Sequence, residues 1–156
     1  MSNESSPLNI VLVQPVIPQN TGSIARLCGA TDTTLHLIKP LGFSTDDKQL
    51  KRAGLDYWDF VSIKYWDNLE SFLAQGAVER LHLFTTKTDR PYTACNFAPG
   101  DYLVFGRETT GLPKFLLEAF PSRCATIPMS NPNIRSLNLA MSTAVVLYEA
   151  LRQIGT

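Results

Sequence analysis

Short apolar runs alternate with helical segments along almost the whole chain, and this alternation is the feature that most restricts its fold. Six runs rich in β-branched and aromatic residues are predicted as strands, at 8–13, 34–38, 61–65, 81–85, 102–105 and 125–127. Five helices are predicted between and after them, at about 21–30, 46–53, 68–75, 113–119 and 137–153. This order favours an α/β fold, with a parallel sheet covered by helices on both faces.

Length and composition indicate one globular domain. The chain has 156 residues, of which 44% are hydrophobic and 18% are charged, a balance typical of a protein with a single core. No repeat or linker divides it, so we expect one domain over residues 8–156 after a disordered lead at 1–7. Neither a membrane span nor a secretory signal is recognisable, which predicts a cytoplasmic protein with no membrane partner.

Charge gives no general attraction for nucleic acid. Lys and Arg total 14 and are balanced by 14 Asp and Glu, so RNA binding would need a local basic patch. Lys48, Lys51 and Arg52 form the densest basic cluster, which is equally well interpreted as a solvated helix face. The cysteines are three and widely spaced, and both histidines lie in apolar runs, so no metal site and no disulfide framework are predicted.

Most of the Pro, Gly and Asn residues follow predicted strands. A nucleotide-like ligand binds beyond the carboxyl ends of strands in folds of this class. Neither the dinucleotide fingerprint GxGxxG after the first strand nor a P-loop is present. Three other segments remain as candidates for a site.

The first segment, 20–26, opens the first predicted helix. Asn20 is a plausible N-cap, and Arg26 rises from a helix side shared with Gly22 and Ala30. Small neighbours let a phosphate or a second backbone approach that arginine closely. A capped amphipathic helix with a solvated arginine explains the same pattern.

The second segment, 105–113, joins a strand to a helix. Its two glycines, Gly106 and Gly111, permit close approach or positive φ, and Pro113 suits a first helical turn. Exposed backbone amides here could bind an adenine or a ribose. The segment is equally explained as a strand-to-helix turn whose backbone conformation requires glycine.

The third segment, 127–139, leads into the last helix. No charged residue occurs between Arg135 and Glu149, and apolar residues occupy all sides of the helix between them. A helix that is apolar all round must be covered all round, which predicts a second subunit against it. Ser136 and Asn138 would then lie at its buried mouth and need partners.

Together these three segments resemble the three motifs of the SPOUT RNA methyltransferases, as NTGSIAR at 20–26, FGRETTGLP at 105–113 and IPM…RSLNL at 127–139. The resemblance covers essentially the whole chain. Within that family, DDKQLKRAGLDYW at 46–58 is similar to the enzymes that methylate the ribose of the tRNA wobble nucleotide.

The resemblance implies a C-terminal deep trefoil knot, a rare exception to unknotted topology. It implies a homodimer that uses S-adenosylmethionine, releases S-adenosylhomocysteine and needs no metal. Arg26 would be the catalytic residue and project into a site completed by the partner subunit, with Asn20 bracing it and Asn138 orienting substrate. The implied cofactor-binding residues are Phe84, Gly106, Glu108, Gly111, Ile127, Met129, Ser136 and Leu137.

The implied reaction is methyl transfer to the 2'-hydroxyl of the wobble nucleotide, cytidine 34 or a modified uridine 34, in the tRNA anticodon loop. The predicted phosphate contacts are Lys48, Lys51, Arg52, Arg107 and Arg135. Two alternatives stay open: a 2'-O-methyltransferase for rRNA or another tRNA position, and a non-catalytic RNA-binding module of the same fold. A generic α/β hydrolase is disfavoured, because neither histidine neighbours a plausible nucleophile.

Overall fold

The computed structural model describes residues 7–44, 46–76 and 78–155, with the backbone but not the side chains of residues 51 and 53–56. Within them the strands are β1 (Leu8–Val13), β2 (Thr34–Ile38), β3 (Ile63–Trp66), β4 (Leu81–Phe84), β5 (Asp101–Phe105) and β6 (Cys124–Ala125). The α-helices are α1 (Pro18–Ala30), α2 (Lys48–Gly54), α3 (Leu69–Leu73), α4 (Lys114–Ala119) and α5 (Leu139–Ile154). All the predicted strands and helices are present, with ends that differ by a few residues. The predicted lead at 1–7 lies outside the described residues, apart from Pro7.

The strands form one sheet in the order β3-β2-β1-β5-β4-β6, and all its strand pairs are parallel. In the middle of the sheet Ile10 of β1 lies opposite Leu35 of β2 on one side and Leu103 of β5 on the other. The strand order reverses between β1 and β5, and in open α/β sheets ligands bind beyond the strand ends at such a point. The predicted parallel sheet is confirmed, and its topology indicates that a ligand site lies at the loops after β1 and β5.

Helices cover both faces of the sheet, as predicted. Alternate residues of β1 point to opposite faces, so Ile10 and Leu12 join one core cluster while Val11 and Val13 join another. The first cluster is completed by buried residues of α1 and α5, and the second by buried residues of α3 and α4. The α2 helix packs against α1. The β1 strand is therefore buried on both sides, which explains its continuous apolar sequence.

Helix α1 begins three residues earlier than the predicted range of 21–30. Pro18 occupies the first turn, where its fixed φ and missing N–H are tolerated, and Ile17 is the N-cap residue. The prediction that Asn20 caps this helix is therefore wrong. Asn20 instead belongs to the first turn of the helix, and its side-chain amide donates a hydrogen bond to Glu108.

Helix α5 begins two residues later than predicted, because the side chain of Asn138 accepts a hydrogen bond from the backbone of Met141 at 3.1 Å and caps the helix. The predicted apolar surface on its outer side is present: Met141, Val145 and Tyr148 are 65%, 40% and 55% exposed. Ser136 and Asn138 are also exposed, so the part of the chain that the structure describes does not bury them. Among the described residues, none of the helices has the length and apolar character that crossing a membrane requires.

Both histidines are buried, in keeping with their apolar sequence surroundings. The indole N–H of Trp66 donates to Nδ1 of His36 at 3.0 Å, so Nε2 must carry the ring proton and donates to Asn9 Oδ1 at 2.9 Å. This pairing suits the neutral ring, because protonation of Nδ1 would break the bond from Trp66. Burial and the nearby Lys64 lower the pKa of His36 to about 4.

We predict that the free energy of unfolding decreases as the pH is lowered from about 6.5 to about 4, because of the lowered pKa of His36. The pKa of His36 is lower in the folded chain than in the unfolded chain. Its contribution to stability is therefore complete at a pH above the pKa of the unfolded chain, and it is lost as the pH falls to the pKa of the folded chain. Across the window the loss is about 3 kcal/mol. Urea unfolding at several pH values will measure it in the natural protein and in His36→Gln.

The variant is expected to lose less stability over the same window, whatever its stability at neutral pH. His82, whose pKa is also lowered by burial, contributes in the same direction in both proteins and cancels from the comparison. An equal loss of unfolding free energy in the two proteins over this pH window would contradict the assignment to His36.

Candidate functional site

A cavity of about 590 Å³ opens at the carboxyl edge of the sheet. It lies among the segments that follow β4, β5 and β6, together with the start of α1 and the start of α5. All eight residues predicted to bind the cofactor line it: Phe84, Gly106, Glu108, Gly111, Ile127, Met129, Ser136 and Leu137. Asn20, Arg107, Arg135 and Asn138 line it as well, so three segments distant in sequence meet in one place.

The loop after β5 forms one wall of this cavity and folds back closely on itself. A side chain on Gly106 would collide with the backbone of Gly111 and Leu112. The backbone N–H of Gly111 donates to the carbonyl of Arg107 at 2.8 Å, and Gly111 itself has φ of +73°. Glycine is therefore required at 106 by close approach and is favoured at 111 by its conformation.

Glu108 ties this loop to the start of α1. One carboxylate oxygen accepts the backbone N–H of Val16 at 2.9 Å, and the other accepts the N–H of Ile17 at 3.1 Å and the side-chain amide of Asn20 at 3.2 Å. The negative charge also lies at the positive end of the helix dipole. Both oxygens are thus engaged with the protein, which makes Glu108 a brace of the cavity wall.

The same chain of hydrogen bonds continues to α5. Asn20 is 8% exposed, and its side-chain oxygen accepts a hydrogen bond from Nδ2 of Asn138 at 3.2 Å. Asn138 in turn caps α5 through its own oxygen. One continuous set of side chains therefore links all three sequence motifs, with Glu108, Asn20 and Asn138 in series.

Arg26 does not line the cavity of its own chain. It lies on the exposed side of α1, and its guanidinium carbon is 4.9 Å from the ring centre of Tyr57, in the 3-10 segment Leu55–Phe60 that follows α2. This cation–π contact holds the arginine on the surface formed by α1 and α2. Within one chain, Arg26 and the cavity are therefore separate features of the surface.

The predicted RNA contacts fall in two places. Arg107 and Arg135 line the cavity, whereas Lys48 and Arg52 are exposed on α2, beside the helix that carries Arg26. The side chain of Lys51 lies outside the described residues. Lys48 and Arg52 are therefore separate from the cavity within one chain, and they lie on a helix that packs against the helix of Arg26.

Sequence patterns missed further residues that line the cavity, among them Thr85, Thr86, Lys87 and Thr126. The first three directly follow β4, and Thr126 directly follows β6. Their position after parallel strands was the available signal, since strand ends meet at the same edge of a parallel sheet.

The polar groups at this site can bind and position a ligand through hydrogen bonds. Within the described part of the chain, no group of three or more His, Cys, Asp or Glu side chains is arranged to hold a metal ion. All three cysteines are buried and unpaired, and burial raises the pKa of Cys28 to about 12, so this thiol is unsuited to act as a nucleophile.

Known proteins resemble this chain over almost its whole length. A model of the SpoU rRNA methylase family matches residues 7–148. A protein of Aeromonas hydrophila subsp. hydrophila named tRNA (cytidine(34)-2'-O)-methyltransferase is 51% identical over 149 residues, which are 95% of each chain.

Solved structures agree with the fold. A structure from work on the 2-OH methylation of C/U34 on tRNA aligns with a TM-score of 0.87 and 45% identity, covering 94% of this chain and 95% of that chain. An AdoMet-bound rRNA methyltransferase from Sinorhizobium meliloti aligns with a TM-score of 0.82 at 22% identity, covering 100% of this chain and 60% of the other. The resemblance stated from the three motifs is confirmed, and the chain belongs to the SpoU rRNA methylase family.

Proposed function

We propose that this protein transfers a methyl group from S-adenosylmethionine to the ribose 2'-hydroxyl of the wobble nucleotide, cytidine 34 or a modified uridine 34, in tRNA. One observation carries the proposal: the three motifs meet at one cavity, and hydrogen bonds among Glu108, Asn20 and Asn138 connect them. The named relative at 51% identity and the aligned structure from work on C/U34 support the substrate.

The cavity suits S-adenosylmethionine. Its volume of about 590 Å³ lies within the range of small-molecule sites, roughly 300–1,000 Å³. Phe84, Ile127 and Leu137 offer apolar surface for a base, while the glycine-rich loop brings backbone groups close to the ligand. When bound, this cofactor supplies a methyl group on a positively charged sulfonium that is already activated for transfer.

The protein's own task is then to place the reactants, which can lower a barrier by several kcal/mol. The bond series from Glu108 to Asn138 holds the cavity wall, α1 and α5 in one arrangement. Asn20 is a positioning residue in this scheme, and Asn138 orients both α5 and the substrate. Glu108, grouped with the cofactor contacts, acts through the loop that it braces.

Arg26 is proposed to bind the reacting nucleotide. A guanidinium keeps its positive charge and is a poor proton acceptor, so its planar set of donors holds the hydroxyl and the neighbouring phosphate. The phosphate or a water molecule takes the proton. The ring of Tyr57, 4.9 Å from the guanidinium carbon, keeps that group in a defined orientation.

A homodimer is proposed to complete the site. Two observations support it: Arg26 lies outside the cavity of its own chain, and α5 presents Met141, Val145 and Tyr148 to solvent. Pairing of two chains would cover the apolar surface and bring Arg26 of one to the cavity of the other. The basic residues Lys48, Lys51 and Arg52 would accompany Arg26 and contact phosphates of the anticodon loop, with Arg107 and Arg135 beside the cofactor.

Three further features belong to this proposal. Residues 8–156 act as one SPOUT methyltransferase domain, and their C-terminal part forms a deep trefoil knot. Convergence of the segments after β4, β5 and β6 and of the start of α5 on one cavity supports the knot. The protein works in the cytoplasm, where its tRNA substrate is found.

The substrate assignment predicts methylation at one ribose. Purified protein with S-adenosylmethionine carrying a labelled methyl group is expected to modify tRNA with cytidine 34, and nucleoside mapping will locate the label there. A matched tRNA with 2'-deoxycytidine at position 34 lacks the accepting oxygen and should remain unlabelled. Label found in rRNA, or elsewhere in the same tRNA, would overturn the assignment.

Arg26→Lys is expected to lower kcat by about 100-fold, because the variant keeps the charge and loses the fork that orients two oxygens. The affinity for S-adenosylmethionine should stay unchanged, since the proposed partner of Arg26 is the nucleotide and not the cofactor. Steady-state kinetics and cofactor titration measure both quantities. Full turnover by Arg26→Lys would disprove a bidentate role.

Mixed dimers test the shared site. Arg26→Ala keeps the cavity, and Gly106→Ala disrupts the cavity wall but keeps the arginine, so each variant alone should be inactive. Co-expression of the two should restore about a quarter of natural activity, because half of the dimers then contain one complete site. Arg26→Ala mixed with a chain that carries both changes is the control and should stay inactive, and an equally inactive first mixture would exclude a shared site.

A further inference from the structure

A second cavity, of about 290 Å³, lies beside the first. Part of its lining belongs to the first cavity as well: Lys87, Arg107, Thr110, Gly111 and Leu112. The rest comes from the end of β1 and from the start of α4. The loop after β5 therefore separates two adjacent binding spaces.

The lining of this second cavity is strongly basic. It includes Lys87, Arg107 and Lys114, and none of the described residues that line it is Asp or Glu. Within the described part of the chain, the ammonium group of Lys87 makes no ion pair or hydrogen bond. Lys114 has a single loose pair with Glu118, at 3.8 Å and largely exposed, which contributes little and is easily exchanged for another anion. Three positive charges on one small concave surface attract an anion.

Arg107 is held in place for such a role. Its Nε donates to the backbone carbonyl of Gln14 at 3.3 Å, and its Nη2 donates to Oε1 of the same residue at 2.9 Å. Gln14 has φ of +55°, an uncommon conformation for a residue with a side chain. These two bonds fix the plane of the guanidinium and leave the N–H groups of Nη1 available for a ligand.

We propose that the second cavity binds a phosphate group of the tRNA backbone next to the nucleotide that is methylated. This inference rests on the proposed function, since the reacting ribose must lie at the first cavity. Each ribose in a strand has a phosphate on either side, so a ribose at the shared wall brings a phosphate towards Arg107, Lys87 and Lys114. Guanidinium and ammonium groups together are the usual partners of such phosphates.

Lys114 gives the cleanest test, because it lines the second cavity and not the first. Binding of tRNA to Lys114→Gln will be measured over a series of salt concentrations by fluorescence anisotropy. Loss of one phosphate contact should lower the slope of log Kd against log salt by about 0.7, and the double variant Lys87→Gln with Lys114→Gln should lower it by about 1.4. Lys64→Gln, an exposed lysine on β3 that lines neither cavity, is the charge-matched control and should leave the slope unchanged.

Two further measurements identify the source of the anion. Lys114→Gln should bind S-adenosylmethionine with natural affinity and raise KM for tRNA with little change in kcat, whereas weaker cofactor binding would assign the cavity to the cofactor and overturn the proposal. Inorganic phosphate, added at constant ionic strength, should compete with tRNA only at high concentration. Tight binding of phosphate alone, with an unchanged tRNA slope, would show a site for free anions and would also overturn it.

The result can be separated from the fate of the proposed function. If natural protein methylates tRNA at position 34 and Lys114→Gln has the same salt slope as Lys64→Gln, the second cavity does not bind the substrate backbone. If natural protein fails to methylate tRNA at all, the failure lies with the proposed function. Recovery of the natural slope in Lys114→Arg would support a contact with phosphate, because charge is retained there.

Discussion

The carboxylate of Glu108 is the contact on which the geometry of the site depends. It joins a loop that follows β5 to the turn before α1, about ninety positions away in sequence, by accepting three N–H donors. Hydrogen bonds to a charged acceptor are stronger than those to a neutral one, so this single side chain favours one relative placement of loop and helix. Asn20 and Asn138 extend that placement to α5. The cavity consequently has walls from three distant segments that are joined by hydrogen bonds.

The architecture was largely predictable from sequence, because buried parallel strands are continuous apolar runs and differ clearly from the helices between them. Six strands and both covered faces followed from that signal. Element ends were less predictable, as the start of α1 illustrates. Asparagine is a common N-cap residue, yet the side-chain amide of Asn20 donates to Glu108 instead. A local sequence pattern contains no information about so distant a partner.

The candidate site was predictable in part through family resemblance. The eight residues expected around the cofactor all line one cavity, whereas Thr85, Thr86 and Lys87 were missed because an isolated Thr-Thr-Lys sequence has no specific meaning. Arg107 was expected to contact RNA, and the structure adds its attachment to Gln14, which depends on a left-handed backbone that no glycine marks in the sequence. Spatial neighbours of this kind become visible only when the strand order is known.

The surface position of Arg26, stacked on Tyr57 and apart from the cavity of its own chain, has a consequence for how output depends on protein amount. In the proposed assembly a solitary chain loaded with methyl donor has no guanidinium to direct an acceptor, and it remains idle. At concentrations below the dissociation constant of the pair, the number of working centres grows with the square of the number of chains. In that assembly, activity would fall more steeply than in proportion to protein concentration, and the bound methyl donor would not meet an acceptor until two chains associate.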